Sequence, residues 1–241
     1  MINRTFAFII LSIAIASFAQ AQKPNYLGQT NTITTAVPFL LIAPDARAGA
    51  MGDVGGATTP DANSMHWNPA KYAFIESKAG FAASYSPWLR AIVSDINLAY
   101  VAGYYKLDER QTIAASLLYF TLGDITFTDI QGSTIGNYRP NEFSLDGTYS
   151  RKFSETWSGA VAARYIHSNL TQGISVGGVA TKPGQSIAAD VSVYHQRELE
   201  WRNVEFAEFA FGVNISNIGS KISYSDATTE TDFIPTNLRI S

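Results

Sequence analysis

The sequence predicts an all-β protein, a transmembrane antiparallel β-barrel. Three observations predict it. An export signal opens the chain, large apolar residues alternate with small or polar ones from Lys78 onward, and short and long connections alternate between those runs.

The signal comes first. Arg4 supplies a positive start, residues 6–18 are apolar except for Ser12 and Ser17, and Ala19-Gln20-Ala21 fits a small-x-small cleavage site. Residues 1–21 therefore read as a signal peptide and Gln22 as the mature N-terminus. The apolar run falls short of the ~20 residues a membrane-spanning helix needs. The chain has no cysteine, which excludes a lipobox, a disulfide framework and any thiolate metal site. Its formal charge of -3, without a Lys/Arg cluster, argues against nucleic acid as a partner.

Period-two alternation places strands at 78–86, 93–105, 111–121, 140–152, 157–168, 185–196, 205–218 and from 236 onward. Runs as long as 93–105 and 205–218 exceed the ~5–6 residues usual in globular sheets, which separates this chain from a secreted β-sandwich. Connections 106–110, 153–156 and 197–204 are short, whereas 122–139, 169–184 and 219–235 are long; only 87–92 departs from the rule. In outer membrane barrels short turns are periplasmic and long loops extracellular. A hatch that starts in the periplasm fits that phase. Tyr104, Tyr105, Tyr119, Phe120, Tyr149, Phe153, Trp157 and Tyr165 lie near strand ends, as interfacial girdles do. Asp95, Asn97, Asp146, Ser158, Arg164, Asp190 and Asn214 are assigned to the lumen, making it largely polar.

Ahead of the strands, residues 22–77 form the N-terminal segment and hatch, and residues 78–241 the barrel portion. Residues 47–70 are dense in Gly and Ala and close on Trp67-Asn68-Pro69-Ala70. Such a stretch buries little apolar area but lets a backbone wind through a confined space. Gly49 and Gly52 lie in this run, and no G-x-x-x-x-G-K-[ST] phosphate loop surrounds them. Asp45 and Arg47 are read as hatch-packing residues, paired with each other or lining the lumen. Trp67, Asn68 and Pro69 are read as a structural lock, the Asn free to bond nearby backbone.

This run, ending in Asn68-Pro69-Ala70, resembles the hatch of FadL-like outer membrane barrels. The lead-in Phe39-Leu40-Leu41-Ile42-Ala43-Pro44-Asp45-Ala46-Arg47 narrows the resemblance to the PorV family, the FadL-like barrels of the type IX secretion system. It is strongest over 38–105 and again at 212–219 with 233–238. FadL-like barrels have fourteen strands, so seven whole strands and a started eighth are read as the N-terminal half or so, the C-terminal strands being absent. The resemblance implies a protein of the outer membrane of a Gram-negative, Bacteroidetes-type bacterium. It implies a non-enzymatic shuttle that binds the C-terminal signal domain of cargo at a large SprA/Sov-type translocon barrel. The shuttle then delivers cargo to the PorU-type sortase and attachment complex. Outer membrane lipid and lipopolysaccharide are its surroundings, and no cofactor is implied.

The runner-up within the resemblance is a FadL-type transporter of long-chain fatty acids or other hydrophobic compounds, which needs an apolar lumen pocket. A third reading is lipopolysaccharide O-deacylation, which needs Ser, His and a carboxylate converging. His167 and Ser168 are adjacent on a strand and so point to opposite faces, and no G-x-S-x-G elbow occurs. No catalytic residue is assigned. His66, His167 and His195 lack metal-ligand spacing, so no metal site is assigned either. The functional signal lies in the long loops. Phe127, Ile130, Ile135 and Tyr138 in 122–139, with Ile174 and Val176 in 169–184, are apolar side chains on segments facing water and are the candidate cargo-contact residues.

Overall fold

The computed structural model describes residues 35–91, 93–129, 131–175, 179–201, 204–226 and 231–241. Its strands are β1 (Ala79–Pro87), β2 (Asn97–Lys106), β3 (Gln111–Thr121), β4 (Ile125–Thr128), β5 (Thr134–Tyr138), β6 (Asn141–Lys152), β7 (Trp157–Asn169), β8 (Gly184–Trp201), β9 (Val204–Gly219) and β10 (Asn237–Ile240). Eight of them form one sheet in the order β1-β2-β3-β6-β7-β8-β9-β10, every neighbouring pair antiparallel. The sheet is not closed: β1 and β10 are its edges, so the expected barrel is present as an open wall. The reason is dimensional, since an eight-stranded barrel has room only for its own side chains and here a folded segment lies against the inner face.

The wall is polar where a water-soluble sheet would be apolar. On β6 the buried residues are Glu142, Ser144, Asp146, Thr148 and Ser150, while Leu145 and Tyr149 are exposed on the other face. On β8 Ser186, Asp190 and Ser192 are buried and Ile187, Val191 and Val193 exposed. Phe81, Tyr85, Val101, Ile113, Leu117, Val161 and Phe209 extend the exposed apolar face. In water such a surface is an aggregation site; in lipid it is what a transmembrane strand presents.

Two inward assignments are corrected. β2 buries Leu98, Tyr100, Ala102 and Tyr104, so Asn97 faces outward and accepts a hydrogen bond from the exposed Tyr85 hydroxyl at 2.6 Å. Asp95 lies before β2 and accepts from the Asp124 amide at 2.7 Å. Asp146, Ser158, Arg164, Asp190 and Asn214 do face inward and are buried. The phase reverses at β2 because its inner face packs on an apolar part of the hatch. Boundaries differ as well: β2 starts at Asn97, β8 and β9 continue through most of the expected 197–204 turn, and the 122–139 loop contains the separate β4–β5 hairpin.

The hatch runs along the inner face from one end of the wall to the other. Thr35 forms a parallel bridge with Phe233, and the Ala36 amide donates to the Phe233 carbonyl at 2.9 Å. Val37, Phe39 and Leu40, around the 3₁₀ turn Pro38–Leu41, then pack with Leu98, Tyr100, Leu118, Phe120, Ile222 and Ile234. The strand residues among these lie in the loop-side halves of β2 and β3, and Ile222 and Ile234 lie beyond the strands. Next come α1 (Ala46–Ala50), α2 (Ser64–Trp67) and the 3₁₀ turn Pro69–Phe74, which sits at the turn-bearing end beside Ser150 and Ser158. The chain then enters β1 at that end, Ala79 pairing with Tyr105. The start of the expected hatch, at residues 22–34, lies outside the described residues; the described part begins at the loop-bearing end and leaves at the turn-bearing end.

Candidate functional site

The lock at Trp67-Asn68-Pro69-Ala70 is built from inward polar side chains of successive strands. The Ala70 carbonyl accepts from Ser158 Oγ of β7 at 2.7 Å and Ser150 Oγ of β6 at 3.2 Å. The Ala70 amide donates to Ser192 Oγ of β8 and to Asn68 Oδ1, both at 3.1 Å. Asn68 Nδ2 donates to the carbonyls of Gly56 and Val193 at 3.1 Å each, and Asn214 Nδ2 of β9 donates to the Trp67 carbonyl at 3.1 Å. From β10, Arg239 Nη1 donates to the His66 carbonyl at 3.0 Å, its guanidinium 5.3 Å from the Trp67 ring centroid. Pro69 suits the first position of the 3₁₀ turn because it needs no amide partner there, and Asn68 caps the turn. Asn68 is wholly buried and its amide is fully used, which satisfies backbone that water cannot reach.

Asp45 and Arg47 do not pair with each other. One Asp45 oxygen caps α1 by accepting from the Ala48 amide at 2.8 Å, and the other accepts from Trp67 Nε1 at 2.7 Å. Arg47 instead reaches Asp61 Oδ2 at 3.0 Å and Thr59 Oγ1 at 2.7 Å. Gly52 has φ 78° and follows α1, the left-handed position that ends a helix with glycine. A Cβ at Gly49 would meet nothing, so close approach is not its role.

The close approaches that sequence reading missed are at Gly55 and Gly212. A Cβ on Gly55 would lie 2.3 Å from the Trp67 ring, and one on Gly212 would lie 2.4 Å from the Gly56 carbonyl oxygen. Lys71, also missed, is buried and donates from Nζ to the Gly55 carbonyl at 2.9 Å and Thr58 Oγ1 at 3.0 Å. Burial lowers its pKa to about 8. Burial, with Arg239 and Arg164 nearby, holds the His66 imidazole well below its ordinary pKa. Nothing in a linear sequence marks a lysine for such a pocket; the pairing depends on how residues 55–58 fold back.

Beneath the lock lies an ionic network on the inner face. Arg164 of β7 pairs with Asp146 of β6 and with Asp190 of β8, the latter at 3.1 Å, and also reaches the Asn217 side-chain oxygen. Ser116 Oγ of β3 donates to Asp146 at 2.9 Å. The register of β8 against β9 shifts between Ala189 and Val191, where Asn217 takes φ 60° and its amide donates to Asp190 at 2.8 Å. This bulge aims the Asn217 side chain at Arg164 and, through Nδ2, at the Pro235 carbonyl at 3.0 Å.

Of the loop candidates, the structure brings Phe127, Ile135 and Tyr138 onto the β4–β5 hairpin. Phe127 and Tyr138 meet edge to face at 5.1 Å, and Ile135 is exposed. The hairpin base is clamped by Arg139, whose Nε and Nη2 donate to Asp124 at 2.8 and 2.9 Å. Ile174 lies in the neighbouring loop, tied to the hairpin where Gln172 donates to the Arg139 carbonyl at 2.7 Å. Ile130 and Val176 lie outside the described residues.

Hydrolytic geometry does not assemble at His167 and Ser168. His167 stacks on Phe143 at 5.0 Å, while Ser168 is buried on the inner face, donating to Glu142 at 2.6 Å and accepting from the Tyr224 hydroxyl at 2.9 Å. His195 packs at a tilt against Trp157, ring centroids 4.4 Å apart, near the opposite end of the wall. Among the described residues no group of His, Asp and Glu is placed to hold a metal ion.

A protein-family model described as Type IX secretion system protein PorV matches residues 25–241. No curated protein matches the chain.

Proposed function

The chain belongs to the PorV family of the type IX secretion system, and from that membership we propose that it is an outer membrane shuttle for secreted proteins. In this reading the exposed apolar face of the wall contacts lipid, the turns face the periplasm and the loops face the cell exterior. The loops bind the C-terminal signal domain of cargo leaving a large SprA/Sov-type translocon barrel. The shuttle then passes cargo to the PorU-type sortase and attachment complex.

One observation carries the choice of shuttle over transporter. The apolar part of the inner face, at Leu98, Tyr100, Leu118 and Phe120, is filled by the chain's own Val37, Phe39 and Leu40. A transporter of fatty acids needs that apolar volume for its ligand. A shuttle needs it sealed, leaving the β4–β5 hairpin and its neighbouring loop as the surface that meets a protein. Phe127, Ile135, Tyr138 and Ile174 are the contact residues of this reading.

The test is recovery of the full-length, detergent-solubilised protein from its own host, followed by mass spectrometry. Co-recovery of a very large barrel and of proteins sharing a C-terminal domain is expected. Recovery of the protein alone with fatty acid bound would overturn the shuttle and favour transport.

A further inference from the structure

Residues 35–42 and the Pro69–Phe74 turn touch opposite ends of the same strands. Phe39 stacks on Phe120 near the end of β3, with ring centroids 6.4 Å apart. The Ala70 carbonyl is held by Ser150, the cross-strand partner of Thr112 near the start of β3. Eight residues of strand separate these two positions, roughly 26 Å at the usual rise per residue. That is close to the ~30 Å thickness of a bilayer's hydrocarbon core. The hatch therefore crosses most of the wall's height before β1 begins, and it does so from the loop end toward the turn end.

At the loop end this lead-in is joined to the β9–β10 connection. Thr35 is exposed and bridges to Phe233, a residue that is 57 % exposed and whose ring lies under the Lys221 ammonium at 4.1 Å. Ile222 and Ile234 of the same connection are buried in one cluster with Val37 and Phe39. A partner that grips this connection is therefore touching a segment packed directly on the lead-in.

We infer that residues 35–42 form the outer seal of the lumen, so that Thr35 and Phe233 belong to the partner-accessible rim on the cell exterior. This rests on the reading above that the loops face outward. It adds that residues 35–42 lie on the loop side of the wall, and that they form one surface with Ile222, Phe233 and Ile234 of the β9–β10 connection.

Residues 1–241 contain no cysteine, so a direct test is made in a full-length protein in which any further cysteine is replaced by serine. Three single-cysteine variants of the full-length protein, Thr35→Cys, Ile135→Cys and Glu155→Cys, are made in the host and treated on intact cells with a charged, membrane-impermeant maleimide. Thr35→Cys and Ile135→Cys are expected to label to the same extent on intact cells, and Glu155→Cys only after permeabilisation. If Thr35→Cys instead labels only after permeabilisation, or never, while Ile135→Cys labels on intact cells, the inference is overturned and the loop orientation stands. If Glu155→Cys labels on intact cells and Ile135→Cys does not, the orientation beneath it is overturned as well.

Discussion

Asn68 of the hatch and Gly212 of β9 are packed so closely that a Cβ on Gly212 would lie 2.6 Å from Asn68 Nδ2. The same added atom would meet the Gly56 carbonyl oxygen at 2.4 Å; that oxygen is backbone, and Asn68 Nδ2 is held by its two hydrogen bonds. The strand's glycine is thus the space in which the hatch backbone sits.

Gly212→Ala should therefore push the hatch off the wall while leaving strand pairing intact. Overpacking of this kind costs about 1–3 kcal/mol. The expected outcome is a folded band on unheated electrophoresis that is lost at lower temperature than in the parent, together with faster proteolysis between residues 47 and 70. Gly49→Ala is the control, since a Cβ there meets nothing, and it should leave both readouts unchanged.

Trp67→Phe should weaken the hatch in a different way. It keeps most of the ring but removes the Nε1 donor, leaving one oxygen of the buried Asp45 unpaired. An orphaned buried acceptor costs about 1–3 kcal/mol, more where it is charged. Asp45→Asn in the same background should recover part of the loss, because the neutral amide is cheaper to leave unpaired. A double-mutant cycle on hatch proteolysis reads the coupling.

Arg164→Met should be the most damaging single change on the inner face. It leaves Asp146 and Asp190 buried without their shared cation, a situation that costs about 3–5 kcal/mol. Replacing all three with apolar residues of similar volume should be far milder than the single substitution. The temperature at which the folded band disappears, compared across single and triple variants, checks the ordering.

Acid should loosen the hatch through His66. Its folded-state pKa lies well below the ordinary 6.5, so below pH 6.5 the unfolded hatch binds a proton that the folded one does not. Stability contributed by this site is therefore fully present above pH 6.5 and falls as the pH drops below it. Lys71 acts at the other end of the scale. With its pKa lowered from 10.5 to about 8, its burial penalty is full below pH 8 and is relieved as the pH rises from 8 to 10.5. Hatch proteolysis measured across pH should show both slopes, the acid one flattened in His66→Gln and the alkaline one in Lys71→Met.

Ile135→Glu should reduce recovery of cargo without altering the fold, because the side chain is exposed. Arg139→Ala should act on the same surface indirectly, by opening the two-pronged clamp on Asp124. Co-purification of cargo with each variant, set against unchanged heat-modifiable migration, separates the surface effect from unfolding.

The sequence alone determined the eight strands of the wall, though not the β4–β5 hairpin, because period-two alternation and connection length are local properties that survive without any tertiary contact. It also determined that residues 47–70 wind through a tight space, since their Gly and Ala content leaves little else. Which face of β2 turns inward was not legible: Asn97 and Leu98 alternate equally well either way, and only packing of Phe39 and Leu40 against Leu98 and Phe120 decides it. Asp45 finding Trp67 rather than Arg47 required the chain to fold back over 22 residues. Ser150, Ser158, Ser192 and Asn214 read as ordinary inward polar positions. Only strand register, which lines up Ser150, Ser192 and Asn214 through Ala160 and sets Ser158 two residues away on the same strand, makes them converge on the Trp67 and Ala70 backbone. Alternation carries the direction of a side chain but not its height on the wall, and height is what the tertiary structure supplied.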